Sequence, residues 1–246
     1  MHKYVLIIPA RYASSRLPGK PLLNISGKSL IQRTIEQCKK VVPEELIYVA
    51  TESDIIKDHC ENLGINVLMT SDKCLTGTDR IAECVNQISA ENYINVQGDE
   101  PLINPEDIKN VINYISDKKN ESYNVLAGYC SIKSEEEFNS FNIPKIVFDT
   151  NNNLLYTSRS PIPGSKNGNF RQAWRQVCIY SFKRTALQHI QENPKKMVLE
   201  EFEDLELLRF IEAGIKVKMI ELSDESIAVD VLEDIEKVID YLKNNS

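Results

Sequence analysis

The sequence predicts an α/β protein with a doubly wound, mostly parallel sheet and a smaller mixed or antiparallel lobe. Three observations carry this. Short apolar runs of strand length alternate with segments of helical periodicity through the first half of the chain, the rhythm of βαβ units. One of those helices has a sharp start signal, Asn104 followed by Pro105 and acids in the first turn. After about Lys118 the rhythm changes, and strand-like runs follow one another with few helices between them.

Taken in order, KYVLIIPA reads as a buried strand and SLIQRTIEQCKKV as an amphipathic helix. LIYVAT is a strand, and DIIKDHCENLG a helix stopped by Gly64. INVLMT is a strand, TDRIAECVNQI a helix, and YINVQGDEP a strand ending in a polar turn, before the helix NPEDIKNVINYI. In the second half VLAGYCSI, PKIVFDT and LLYTSRSPIP read as strands, GSKNGN as a flexible loop and RQVCIYSF as a further strand. Helices are expected over TALQHIQEN and, unbroken, over LEEFEDLELLRFIEA. KVKMIEL and SIAVD read as strands, and EDIEKVIDYLKN as the final helix. No internal repeat or low-complexity tract interrupts this order.

The 246 residues, 42% hydrophobic and 26% charged, suffice for a core of ordinary size. A net charge of -7 argues against a general nucleic-acid or membrane-surface binder. No apolar run approaches the roughly 20 residues that span a bilayer. The start, MHKYVLIIPARY, is a poor signal peptide, so the expected location is the cytoplasm. The six cysteines are scattered without a C-x-x-C pair, which points to reduced thiols rather than a disulfide framework or a zinc site.

Against this acidic background the opening segment ARYASSRLPGK is unusual. Arg11, Arg16 and Lys20 are spaced by small residues, and no carboxylate occurs before Glu36. In parallel sheets, ligands sit beyond the carboxyl ends of strands. A loop of cations and small residues at that place suits a strongly anionic ligand such as a nucleotide triphosphate. The alternative is a solvated basic loop. The loop lacks the G-x-G-x-x-G of dinucleotide sites, and Leu22 stands where a Walker A loop needs its leading glycine. ISGKS is therefore read as a turn into the first long helix.

These residues carry a resemblance. IPARYASSRLPGKPL, MTSDKCLTGTDRIAE, NVQGDEPLI and YTSRSPIP, in that order, resemble the signatures of the CMP-Kdo synthetases, the 3-deoxy-manno-octulosonate (Kdo) cytidylyltransferases. The resemblance implies a Rossmann-like sheet of the nucleotide-diphospho-sugar transferase type. It implies one catalytic domain over 1–246, with about 125–205 as a smaller sugar-side and dimerisation lobe. It also implies transfer from CTP to an acidic sugar with Mg²⁺, release of pyrophosphate, and a homodimer.

Carried over residue by residue, the resemblance makes Arg11, Arg16 and Lys20 triphosphate ligands and lets Pro9 and Ala10 line the cytosine pocket. Arg16, Lys20 and Asp99 become the catalytic set. Thr78, Asp79 and Arg80 join the nucleotide side, although Thr78 and Asp79 also suit the start of a helix. Asp99 and Asp230 become Mg²⁺ ligands, since carboxylate oxygens suit that ion. Asp230 has an alternative role, a capping box with Glu233. Glu100 reads as a surface residue. Gln97, Arg159, Gln176, Glu200 and Glu203 fall on the sugar side, with Lys145 a weaker candidate there.

The sequence departs from the family pattern on that side. Gln176 stands where the family has histidine and Cys178 where it has glycine, while Met197 and Leu207 replace a serine and a glutamine. The acceptor is accordingly Kdo, 8-amino-Kdo or another acidic sugar. A CTP or sugar-nucleotide binder without turnover is the reading from another class.

Overall fold

The computed structural model describes residues 1–13, 17–120 and 123–244. Within them, strand β1 (His2–Pro9) leads to a two-stranded hairpin of β2 (Asn24–Ile25) and β3 (Lys28–Ser29), then helix α1 (Leu30–Lys39). The hairpin turns through Ser26 and Gly27, both at positive φ (49° and 84°). So ISGKS is a tight turn into α1, as the sequence predicts, with Ser29 accepting a hydrogen bond from the Gln32 N–H as the N-cap. β4 (Ile47–Thr51), α2 (Asp54–Asn62), β5 (Asn66–Met69), α3 (Gly77–Cys84), β6 (Ala90–Val96) and α4 (Pro105–Ser116) continue the alternation.

The second half runs β7 (Val125–Ser131), α5 (Glu135–Asn139), β8 (Lys145–Phe148), β9 (Leu154–Ser158) and β10 (Trp174–Lys183). It closes with α6 (Arg184–Glu192), α7 (Val198–Glu203), α8 (Leu207–Glu212), β11 (Val217–Glu221) and α9 (Leu232–Asn244). The large sheet has the order β11-β7-β10-β6-β1-β4-β5, with β8 pairing to β10 and β9 to β8. β6, β1, β4 and β5 are mutually parallel, as are β7 and β11. β10 runs antiparallel to β6, β7 and β8. The fold is the expected mostly parallel sheet with an antiparallel portion.

Pleating divides β1 between two cores. Leu6 and Ile8 face α1, α2 and α4, whereas Val5 and Ile7 face α3, α6 and α8. Each side chain of this size stabilises the fold by about 1.5–3 kcal/mol when buried. Two expectations are corrected. SIAVD forms no strand; its Val229 N–H donates instead to the Asp99 carbonyl at 2.9 Å, past the end of β6. The helix expected over LEEFEDLELLRFIEA is broken into α7 and α8, because Asp204 takes a left-handed conformation (φ 54°) between them.

Candidate active site

The carboxyl ends of β1 and β6 open into a pocket that also meets the start of α3, the α7–α8 turn and the segment before α9. At its floor the two strands come very close. A Cβ on Gly98 would lie 2.8 Å from the Pro9 carbonyl oxygen, so only glycine fits there. Of the residues singled out from the sequence, Pro9, Ala10, Arg11, Lys20, Arg80, Gln97, Asp99 and Asp230 line this pocket.

Lys20 is the centre of the arrangement. Its ammonium lies 2.7 Å from Asp99 Oδ2 and 3.4 Å from Asp230 Oδ1. The lysine comes from a one-turn 3₁₀ helix (Lys20–Leu22) whose entry, Gly19, has φ 67°. Asp99 follows β6, and Asp230 arrives from a distant part of the chain. Arg11 is exposed at the pocket mouth, and its charge helps depress the Asp204 carboxyl, whose main cause is the hydrogen bond from Lys196. Arg16 lies outside the described residues.

Other predicted nucleotide ligands are engaged elsewhere. Arg80 is buried and lines the pocket, but its guanidinium pairs with Glu52 at 2.9 Å and bonds Thr70. Glu52 in turn accepts from the Tyr12 N–H at 2.8 Å, so Arg80 acts on the opening loop through that carboxylate. Thr78 and Asp79 do not line the pocket. Thr78 Oγ1 donates to Glu206. Asp79 closes a capping box with Thr76 and takes Arg209 Nη1 at 2.6 Å. Both are turned inward by the helix they start.

The sugar-side residues divide more sharply. Gln97 lines the pocket beside Gly77. Glu200 is fully buried and holds Arg209 through two hydrogen bonds of 2.5 and 2.7 Å. Glu203 accepts from Ser158 Oγ (2.6 Å) and the Arg159 N–H (2.8 Å). Arg159 donates from Nε to the Glu203 carbonyl at 2.6 Å, and its other nitrogens reach the carbonyls of Phe141 and Asp204. Lys145 is buried between the carbonyls of Ser140 and Arg159, where burial and the Arg159 charge lower its pKa. Gln176 donates to the Tyr180 hydroxyl and leaves its Oε1 buried without a partner. None of Arg159, Glu200, Glu203, Lys145 or Gln176 lines the pocket. Arg159, Glu203 and Lys145 bond one another and the backbone, and Glu200 is matched by Arg209, so each faces an internal partner.

Three features escape the sequence reading. Glu206 lines the pocket, and its carboxylate accepts the Gly77 and Thr78 N–H groups, both at 3.1 Å. That is the anion-favouring end of α3, although burial still raises its pKa. Its place in the LEEFEDLELLR run was visible, but not its partner. Glu100 is buried, not a surface residue, and desolvation together with Asp99 pushes its carboxyl up to about 7. Asp230 is not boxed by Glu233; Asp234 accepts the N–H groups of Asp230 and Val231 instead.

Among the described residues no group of three or more His, Cys, Asp or Glu converges as a metal cluster. The pair Asp99 and Asp230 offers two carboxylates to one cation, and the Lys20 ammonium already stands between them. Two oxygen donors, with room left for water and phosphate, fit Mg²⁺.

The cytidylyltransferase family profile matches residues 5–221. The 3-deoxy-manno-octulosonate cytidylyltransferase of Escherichia coli is 37% identical over 238 residues, covering 97% of this chain and 95% of that protein. The 8-amino-3,8-dideoxy-manno-octulosonate cytidylyltransferase of Shewanella baltica is 39% identical over 235 residues, covering 94% and 95%. The structure of CMP:2-keto-3-deoxy-manno-octonic acid synthetase complexed with CTP superimposes with a TM-score of 0.90 at 35% identity, covering 99% of this chain and all of that one. The inositol-1-phosphate CTP transferase of T. maritima, at 12% identity and a TM-score of 0.68, shares the fold. With its profile, its relatives and its fold in agreement, the chain belongs to the cytidylyltransferase family of nucleotidyltransferases.

Proposed function

We propose that the chain transfers a cytidylyl group from CTP to the anomeric hydroxyl of Kdo or its 8-amino analogue, releasing pyrophosphate. The observation that supports this best is the Lys20–Asp99–Asp230 cluster at the strand ends. Pro9 and Ala10 border the base, while Arg11 and Lys20 face the triphosphate and steady the departing pyrophosphate. Asp99 and Asp230 would hold Mg²⁺, which would supply Lewis-acid polarisation of the α-phosphate and a lowered pKa for the attacking hydroxyl. Positioning and fixed charge do the rest of the work. Gln97 orients the acceptor within the pocket.

The single domain carries an acceptor-side lobe at about 125–205, and the protein acts as a homodimer in the cytoplasm, where CTP is made. Phe202 (81% exposed), Phe141 (65%) and Val198 (62%) leave large apolar side chains open on that lobe, as an interface between copies requires. Purified protein with CTP and Mg²⁺, offered Kdo, 8-amino-Kdo and other acidic sugars, tests the reaction. Pyrophosphate release with one of the octulosonates is expected. Tight CTP binding with no release for any acceptor would point to a binding protein instead.

A further inference from the structure

The two candidate metal ligands are held very differently. Asp99 follows β6, but Asp230 lies at the exposed end of residues 222–231, which form neither strand nor helix. Four of this strap's anchors lie close to Asp99. The Val229 N–H donates to the Asp99 carbonyl at 2.9 Å, and the Val229 side chain is buried. Ser226 Oγ donates to the Glu100 carboxylate. The Asn104 amide reaches Ser223 Oγ (3.3 Å) and the Glu225 carboxylate (3.0 Å). Asp107 accepts the N–H and Oγ–H of Ser223 at 2.9 and 2.6 Å. These four anchors all belong to residues 99–107, the segment that begins with the first metal ligand; further back the strap is also held by the Leu222 N–H on the Tyr129 carbonyl at 2.8 Å and by Lys133 and Arg175 at Asp224.

Glu100 is the odd member of this set. It is only 6% exposed and sits next to another carboxylate. Burying an acid there is unfavourable unless its hydrogen bond serves the structure. Its partner Ser226 is four residues before Asp230 and three before the backbone bond of Val229. We infer that Glu100 is a positioning residue, whose hydrogen bond to Ser226 sets the strap so that Asp230 meets Asp99 across one cation.

This rests on the metal-dependent reading above, and the test separates the two. Binding of Mn²⁺ is measured by equilibrium dialysis, with CTP absent and then present on both sides, for wild type, Glu100→Ala, Glu100→Gln and Ser226→Ala. Loss of an outer partner of a metal ligand weakens binding roughly 10- to 100-fold. Glu100→Ala and Ser226→Ala should therefore each fall by about tenfold or more. Glu100→Gln keeps an acceptor for Ser226 and should stay within about threefold of wild type. Wild-type binding in all three variants overturns the inference. So does a Gln variant as weak as Ala with Ser226→Ala intact, because charge rather than position would then be at work. If Glu100→Ala does not fold, the half-buried Ser226→Ala decides alone. A wild-type protein that takes up no Mn²⁺ in either condition overturns the metal reading itself, and this inference with it.

Discussion

The pocket and the lobe beside it use charge in opposite ways. On the nucleotide side, Arg11 and Lys20 point into the pocket, and Lys20 meets two carboxylates that a substrate-bound cation can claim. On the acceptor side, Arg159, Lys145, Glu200 and Glu203 bond one another, Arg209 and backbone carbonyls. The same residue types stand open to the pocket in one half and hold the architecture in the other. The difference lies in partners: a charge facing an open cleft is available, and a charge matched inside the protein is not.

The largest expected effect tests the open half. Asp99→Asn or Lys20→Met should cut the rate of pyrophosphate release by about 10²–10³-fold or more, with the fold intact by circular dichroism. A near-normal rate for either would erase the distinction. Next comes the closed half. Arg209→Leu leaves Asp79 and Glu200 buried and unpaired, and should cost roughly 3–5 kcal/mol in a urea melt. Neutralising both acids as well (Arg209→Leu with Asp79→Asn and Glu200→Gln) should recover most of that loss. Arg159→Ala sharpens the contrast further. It should lower stability by about 1–2 kcal/mol while leaving the acceptor KM largely unchanged. A tenfold rise in that KM at normal stability would put Arg159 on the substrate after all. The smallest effect belongs to Phe202→Asp, which should shift the proposed homodimer toward monomer in light scattering while changing monomer stability by no more than about 0.5 kcal/mol.

Much of the parallel half was legible because its signals are local. Strand length, helix periodicity and the Asn104–Pro105 start each need only neighbouring residues, and they recur in β1 to α4. The place of Arg11 and Lys20 at the pocket was legible for a similar reason, as charge concentrated after a strand in an acid-poor stretch. What the sequence hid was pairing over distance. Glu200 finds Arg209 nine residues on, and Asp79 finds it 130 residues away. Arg80 reaches Glu52 in the connection between β4 and α2. The alternation of SIAVD looks like a strand, but strand formation needs an edge, and the strap is instead fixed by side chains from 99–107. The break at Asp204 was hidden as well, since no glycine or proline marks it.

The most direct test of the account is calorimetric titration of CTP, with Mg²⁺ present, into wild type and Lys20→Met. The account predicts clear association with wild type and affinity lower by roughly 10- to 100-fold in the variant, the value of one charge-assisted contact. Equal affinity in the two proteins, or no association with wild type, would contradict it.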